Sequence, residues 1–499
     1  MAKKKKGRGG SGRQSGAKPE FRSQVEDEIV DQLLYRFVAL VKKGLELMLA
    51  APSELTSKEF RQNPALGHRA EDIPGLVLWT AVGAYELPWP EFCQHVLTHP
   101  AWATLLGVQT QADLDRLNLE NCPVRLIELA VHDALKEGDK QDQRPAEQRP
   151  PVQAEFAEFI GASVVLKLLK KRLRSLLARL DQQDPRHPRH RPHTYRSRSF
   201  VLADLLRWML GLQSTDELIR KLKQQPALAG AANFKPGEIP SKSTFSRRRM
   251  VVPLDDLKAI LHELVEVLRR CQVIDGRAWV IDLSRLPTYS SVSKTYPDRP
   301  NGKSDPEAAF CGYPDNDGGL QFGYCLLWVV DFKSELPLAV VFGAGNAQDS
   351  PLALPLLQQA CTEHPQLARH CHYFIADGGY DTLAIFDFIL QRLRALPTIT
   401  KNPRHASDPQ ADLATDAYCV LRRRSPLYMA LFHSRTSVER TNSWAKLTFN
   451  LKYHKHRGWQ AVERCLLLAA IAMLGVAWVA VKTGQPDKIR SARTWISCQ

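Results

Sequence analysis

RAWVIDL, residues 277–283, is where the chain changes character. Before it, stretches such as SQVEDEIVDQLLYRFVALVKKGLELMLA and ASVVLKLLKKRLRSLLARL repeat apolar residues every three or four positions, the spacing of amphipathic helices. From 277 onward the apolar residues fall in short β-rich runs: FGYCLLWVVDF (322–332), LPLAVVFGAG (336–345), CHYFIAD (371–377) and LPTIT (396–400). Helical stretches, SPLALPLLQQACTEH and DTLAIFDFILQRL, separate the later runs. The order is three strands with tight connections, then helix, strand, helix, strand and a last helix. That order predicts a mixed sheet flanked by helices behind a helical N-terminal region, an α+β or α/β class.

At 499 residues and 44% hydrophobic, the chain has material for two or three domains with cores. Net charge is +15, and the segment MAKKKKGRGGSGRQSGAK holds seven Lys and Arg with no acid, so residues 1–19 read as a flexible basic arm for a polyanion. Ten cysteines without a CxxC pair support neither a zinc site nor a disulfide framework, and a reducing compartment fits them. No secretory signal is legible at the start. CLLLAAIAMLGVAWVAV, 465–481, is at the short end of the ~17–25 residues a membrane span needs, and is read as a buried helix.

The expected organisation continues with a helical region at 20–183, serving DNA binding or oligomerisation, and a basic Pro/His linker at 184–199. A helical DNA-binding region at 200–274, a catalytic domain at 275–482 and a tail at 483–499 follow. The linker sequence DPRHPRHRPHTYRSRS contains His187, His190 and His193, but its prolines break any helix that would align them on a metal. A cationic connector touching phosphates is the preferred reading. Ser214 and Glu217 form a capping box. IPSKSTFSRRRMV offers a Ser-rich cap before Arg247, Arg248 and Arg249, either a short DNA-contacting helix or a solvated basic one.

Two acids are expected to end apolar strands: Asp282 in VIDLS and Asp377 in ADGGYD. A desolvated carboxylate needs a partner, either an arginine or a metal ion, although Asp377 would also serve as a turn cap. A third acid lies in SRTSVERTNSWAKL, 434–447. At 100° per residue, with Glu439 at zero, Arg435 falls near −40°, Lys446 near −20° and Phe432 near +20°, so the four share one helical stripe. Alone, the Arg435–Glu439 pair would be an ordinary surface ion pair contributing about 0.3–0.5 kcal/mol. Together with Asp282 and Asp377, Glu439 completes a carboxylate set able to hold two Mg²⁺ ions about 3.5–4 Å apart for in-line attack on a phosphodiester. Arg435 and Lys446 would then hold neighbouring phosphates.

The strand order, acid positions and helix signature resemble the DDE transposases of bacterial insertion sequences, with their RNase H-like catalytic domain. The last motif is similar to the YREK signature of the cut-and-paste lineage, with Phe432 replacing its Tyr before Arg435, Glu439 and Lys446. The resemblance covers roughly residues 195–480. It implies Asp282, Asp377 and Glu439 as catalytic metal ligands, Mg²⁺ as cofactor with Mn²⁺ able to substitute, and double-stranded DNA, both element ends and target, as substrate. It further implies 3′-hydroxyl joining, a hairpin route for the second strand, a homodimer in a synaptic complex, no membrane, and a cytoplasmic, nucleoid-associated location. A short insertion near 402–432 is expected to turn Arg422, Arg423 and Arg424 toward DNA. The competing expectations are a transposase-derived DNA-binding protein without catalysis and a related DNA nuclease or resolvase.

Asp349 and Asp381 read as helix N-caps. Trp444 is expected to pack, and His454 and His456 to contact the DNA backbone.

Overall fold

The computed structural model describes residues 22–50, 72–117, 124–137, 160–182, 195–235, 237–290, 305, 307–314, 320–402 and 414–497. The basic arm and His187, His190 and His193 lie outside the described residues. The chain divides into two compact units, Met1–Ala134 with Leu396–Leu431, and Leu135–Ala395 with Phe432–Gln499.

The first unit is helical, with helices Asp27–Leu45, Ile73–Tyr85, Trp89–Thr98, Pro100–Leu106 and Gln111–Leu117, and it includes the strand Leu396–Ile399. The Asp27–Leu45 helix buries Leu34, Phe37, Val38 and Val41, the apolar stripe its sequence spacing predicts. Asp31 receives hydrogen bonds from Trp102 Nε1 at 2.9 Å, His95 Nε2 at 2.9 Å and the Tyr85 hydroxyl. Burial works against its charge, yet these donors hold its carboxyl down to about 2.

The second unit is built on a mixed sheet of β1 (Ala278–Pro287), β2 (Ala309–Pro314), β3 (Leu320–Asp331), β4 (Leu336–Ala344) and β5 (Tyr373–Ala376). β1 is central: it pairs antiparallel with β3 from Trp279↔Asp331 to Pro287↔Gly323, and parallel with β5 from Ala278↔Tyr373 to Val280↔Ile375. β2 and β4 both pair antiparallel with β3. Trp279, Val280 and Ile281 are all buried, as expected of a continuous apolar strand covered on both faces.

This is the mixed, helix-flanked sheet of an α+β, RNase H-like fold, with three departures from the sequence expectation. β1 runs on to Pro287, so Asp282 sits mid-strand and not at its end. β2 was not anticipated, because AFCGYP is short and broken by Gly and Pro. The connection between β1 and β3 is therefore long, not tight.

Helix Trp459–Lys482 is 24 residues long and contains an 18-residue window with a mean hydropathy of 2.2, sufficient by length and composition to cross a membrane, and 94% of that window is buried inside the structure. It packs on helix Leu254–Arg270, which turns Leu257, Ile260, Leu261, Leu264 and Leu268 inward. The expectation of a buried helix at 465–481 is met in this packing. The Ser214 cap is also present, with Glu217 N donating to Ser214 Oγ at 3.1 Å and Gln213 N to Glu217 Oε2 at 2.9 Å.

The turn between β3 and β4 fixes the helix that carries Glu439, Thr436–Leu447. Glu335, in the left-handed region at φ 56°, is buried at that turn. Its carboxylate accepts from Lys136 Nζ at 2.9 Å, from Arg440 Nε at 2.9 Å and from Arg490, and its carbonyl accepts from the Thr441 hydroxyl at 3.0 Å. Removing the carboxylate leaves three cations facing one another in a partly desolvated pocket. Glu335→Ala is expected to cost about 3 kcal/mol in urea denaturation; a midpoint equal to wild type would show that the clamp is not what holds the helix.

Candidate active site

Asp282 lies at the middle of the site, with its side chain 17% exposed. Its Oδ2 accepts from Asn442 Nδ2 at 3.0 Å, and the Asn442 side-chain oxygen accepts from Trp328 Nε1 at 2.7 Å. Trp328 is the partner of Asp282 in the β1–β3 register, so one asparagine ties the Glu439 helix to two adjacent strands. Burial first, then Asp377, push the Asp282 carboxyl up to about 7; Arg435 opposes this and Glu439 adds to it.

Other buried acids in this unit show what a purely structural aspartate looks like. Asp305 accepts from Thr288 Oγ1 at 2.5 Å and Tyr324 Oη at 2.9 Å, and also from the Ser290 hydroxyl and Gly458 N–H. Asp331 accepts from Gly276 N at 2.9 Å, Ser334 N at 2.9 Å and Ser334 Oγ at 2.6 Å. Those carboxylates each take three or more donors, although burial and then Asp275 still raise Asp331 to about 6. Asp282 has one side-chain donor, Asn442, and faces two other carboxylates.

Asp377 follows β5 directly and caps the short Gly378–Tyr380 turn, its Oδ1 accepting from Gly379 N at 2.9 Å. The turn-cap expectation for this residue is met. A Cβ on Gly379 would lie 2.2 Å from Asp349 Oδ2 and 3.1 Å from Asp377 Oδ1. Only glycine admits both carboxylates there. Asp349 was expected to cap its helix, but Gln348 holds the N-cap position and the Asp349 carboxylate turns toward Gly379. Burial and Asp377 raise its pKa, against Arg285. Tyr380, beside the same acids, is buried with no partner for its hydroxyl among the described residues, and burial followed by Asp282, Asp349 and Asp377 drives its pKa well up.

Glu439 is more open, 48% exposed, and ion-paired with Arg435, whose Nη1 also lies 4.0 Å from Asp282 Oδ1. Lys446, half-buried, has its pKa lowered by burial while Asp282 favours its charge. Phe432 ends helix Pro426–Phe432 immediately before the His433–Arg435 turn, with the Arg435 guanidinium 5.8 Å from its ring centroid.

Among the described residues, no three His, Cys, Asp or Glu side chains stand close enough to cradle an ion as placed. Glu439 is paired with Arg435. The chemistry of the set nevertheless fits a hard divalent cation: three carboxylates, one of them buried and poorly compensated, offer the oxygen ligands Mg²⁺ takes. Sequence reasoning missed Asn442, Asp349 and Tyr380. Asn442 lies three residues after Glu439, a helical spacing that could have revealed it.

The cationic positions separate by burial. Arg248 donates to Ser197 Oγ at 3.1 Å, and Arg249 Nε and Nη2 each donate to Asp204 at 2.6 Å, so both point into the helical body and only Arg247 of the three is exposed. In the first unit Arg423 Nη1 pairs with Asp416 at 3.1 Å, whereas Arg422 and Arg424 are exposed. His454 and His456 turn inward, contrary to expectation. Burial and Arg207 push His454 down to about 4, and His456 Nε2 is 2.9 Å from the Arg207 guanidinium; burial first, then Arg207, holds the His456 pKa well below the ordinary imidazole range. Asp381 is buried, and Thr382 occupies the N-cap of the following helix. Trp444 packs as expected.

Two outcomes follow from this geometry. Gly379→Ala is expected to retain the fold and to lose catalysis of whatever reaction Asp377 serves, because the new methyl displaces Asp349 or Asp377; full activity would show that their close approach is dispensable. The second concerns pH. The native Asp282 carboxyl keeps its proton up to about pH 7, whereas an unfolded aspartate releases it near pH 4. Its contribution to native stability is therefore fully present below pH 4 and is lost as pH rises through 7. In metal-free protein, Asp282→Asn should exceed wild type by about 1–3 kcal/mol at alkaline pH and match it in acid; equal melting curves above neutrality would refute the burial of an uncompensated charge.

No curated protein and no solved structure matches the chain. Residues 273–474, the segment containing Asp282, Asp377 and Glu439, match the family model for the transposase DDE domain, a match that supports a DDE transposase.

Proposed function

We propose that the chain is a DNA transposase of the cut-and-paste type, in which Asp282, Asp377 and Glu439 hold two divalent cations, Mg²⁺ by preference. The observation that carries this reading is the Asp282 carboxyl, 17% exposed on the central strand and raised to about 7 by partial burial first, then by Asp377 and Glu439 against Arg435. A polar residue in that position without full compensation is a cost to folding, retained where chemistry uses it. When bound, the ions would activate the attacking water or 3′-hydroxyl and stabilise the leaving oxygen.

The chain's own groups divide the remaining work. Asn442 orients Asp282 by donating to Oδ2, and Gly379 N–H fixes Asp377. Arg435, at the N-cap of the Glu439 helix, and Lys446, in its last turn, lie on either side of Glu439 and clamp phosphates of the scissile strand. Phe432 lacks a hydroxyl to offer DNA and instead supports the Arg435 guanidinium through its ring face. Exposed Arg247, Arg422 and Arg424 contact the DNA backbone, while Arg248, Arg249 and Arg423 are structural. Two element ends require a synaptic homodimer, and a hairpin would open the second strand.

The test is cleavage of labelled duplex carrying the DNA that flanks the gene, with Mg²⁺. Wild type is expected to nick it and to join the 3′ end to a second duplex, and Glu439→Gln to fall to background. Equal nicking by that variant, or none by wild type, overturns the enzyme reading. Hydrolysis without joining would instead assign a nuclease.

A further inference from the structure

Helices Ala162–Arg172, Arg174–Gln182 and Ser197–Met209 of the second unit enclose a cavity of about 310 Å³ lined by Lys167, Lys170, Lys171, Arg174, Leu177 and Arg198. Five of its six lining residues are cations. Neighbouring arginines on the same helices are neutralised: Arg172 pairs with Glu263, and Arg179 Nη2 with Asp256 at 2.7 Å, both acids on the Leu254–Arg270 helix. Within the cavity set, Arg198 Nε meets Asp181 at 3.1 Å and Lys170 donates to the Asn233 side chain. Lys167, Lys171 and Arg174 are exposed and, among the described residues, ion-paired with no acid. The fold thus supplies acids to the cations it packs and leaves this group uncompensated. Burial, Arg198 and Lys167 accordingly lower the Lys170 pKa.

Positions 167, 170 and 171 fall at i, i+3 and i+4 on one face of helix Ala162–Arg172, and Arg174 opens the next helix directly after the break at Leu173. The lining offers ammonium and guanidinium groups, the donors that contact phosphates, and no Asn or Gln to pair with adenine.

We propose that this cavity is a sequence-independent site for the phosphate backbone of duplex DNA, apart from the carboxylate site and outside residues 273–474. It rests on the transposase reading and gives the helical region before the catalytic domain a substrate-holding role.

The test measures binding of the full-length chain to duplex oligonucleotides, one with the element end and one scrambled, from about 50 to about 200 mM salt. Each phosphate contact adds about 0.9 to the slope of log affinity against log salt. The variant Lys167→Gln/Lys171→Gln/Arg174→Gln is expected to flatten that slope by about 2–3 and to weaken both duplexes by the same factor. Lys171→Glu alone should move both in the same direction, with melting curves confirming the fold. If wild type binds DNA and both variants keep its slope, the cavity proposal falls while the transposase reading stands. Loss confined to the element-end duplex also overturns it, since that is base readout. Failure of wild type to bind either duplex overturns the transposase reading itself. Loss of binding to phosphatidylglycerol vesicles with duplex binding intact assigns the cavity to a membrane surface and overturns the proposal.

Discussion

Three consecutive residues, Arg440, Thr441 and Asn442, decide where Glu439 stands. Arg440 and Thr441 grip Glu335 at the β3–β4 turn through its carboxylate and its carbonyl, and Asn442 bridges Trp328 on β3 to Asp282 on β1. A helix attached by one end can pivot. Here the attachments contact two strands and the turn that leaves them, so the helix is fixed in translation and in rotation about its axis. The distance between the strand acid Asp282 and the helix acid Glu439 is set by hydrogen bonds to the intervening sheet, not by any contact between the acids themselves.

The unit treats its charges in two ways. Asp305 and Asp331 are ringed by donors, and the arginines at 172, 179 and 249 have carboxylate partners. Asp282 faces Asp377 and Glu439, and the cavity at 167–198 gathers cations with a single acid, Asp181, on one of them. Uncompensated groups of opposite sign in separate places suit the two ligands proposed above, cations for the carboxylates and phosphates for the lysines.

Much of this was legible in the sequence. The apolar runs located β1, β3, β4 and β5, because strands buried on both faces need little besides apolar residues, and the stripe of Arg435, Glu439 and Lys446 follows from helical period alone. The strand β2 was not, since AFCGYP gains its partner only after β3 presents an edge. Arg248 and Arg249 looked like Arg247 because sequence displays charge but not the direction of a side chain; Asp204, 45 residues away, settles it. Asp349 was absorbed by capping logic. Its turn toward Gly379 depends on two loops meeting, which no local pattern encodes.

The acids differ in freedom as well as in burial. Asp282 is locked by Asn442 on a central strand, and Asp377 by the N–H of Gly379, whereas Glu439 projects from a fixed helix on a long, half-exposed side chain held by Arg435. Arg435 also approaches Asp282, so one guanidinium offsets part of the repulsion between two acids on different elements. A rotation of that arginine toward a phosphate would uncover Glu439 without moving the helix. The spacing of four residues that looks like a surface ion pair therefore also keeps the third carboxylate neutralised while its backbone is already positioned. The reorganisation left for substrate binding is then confined to side chains.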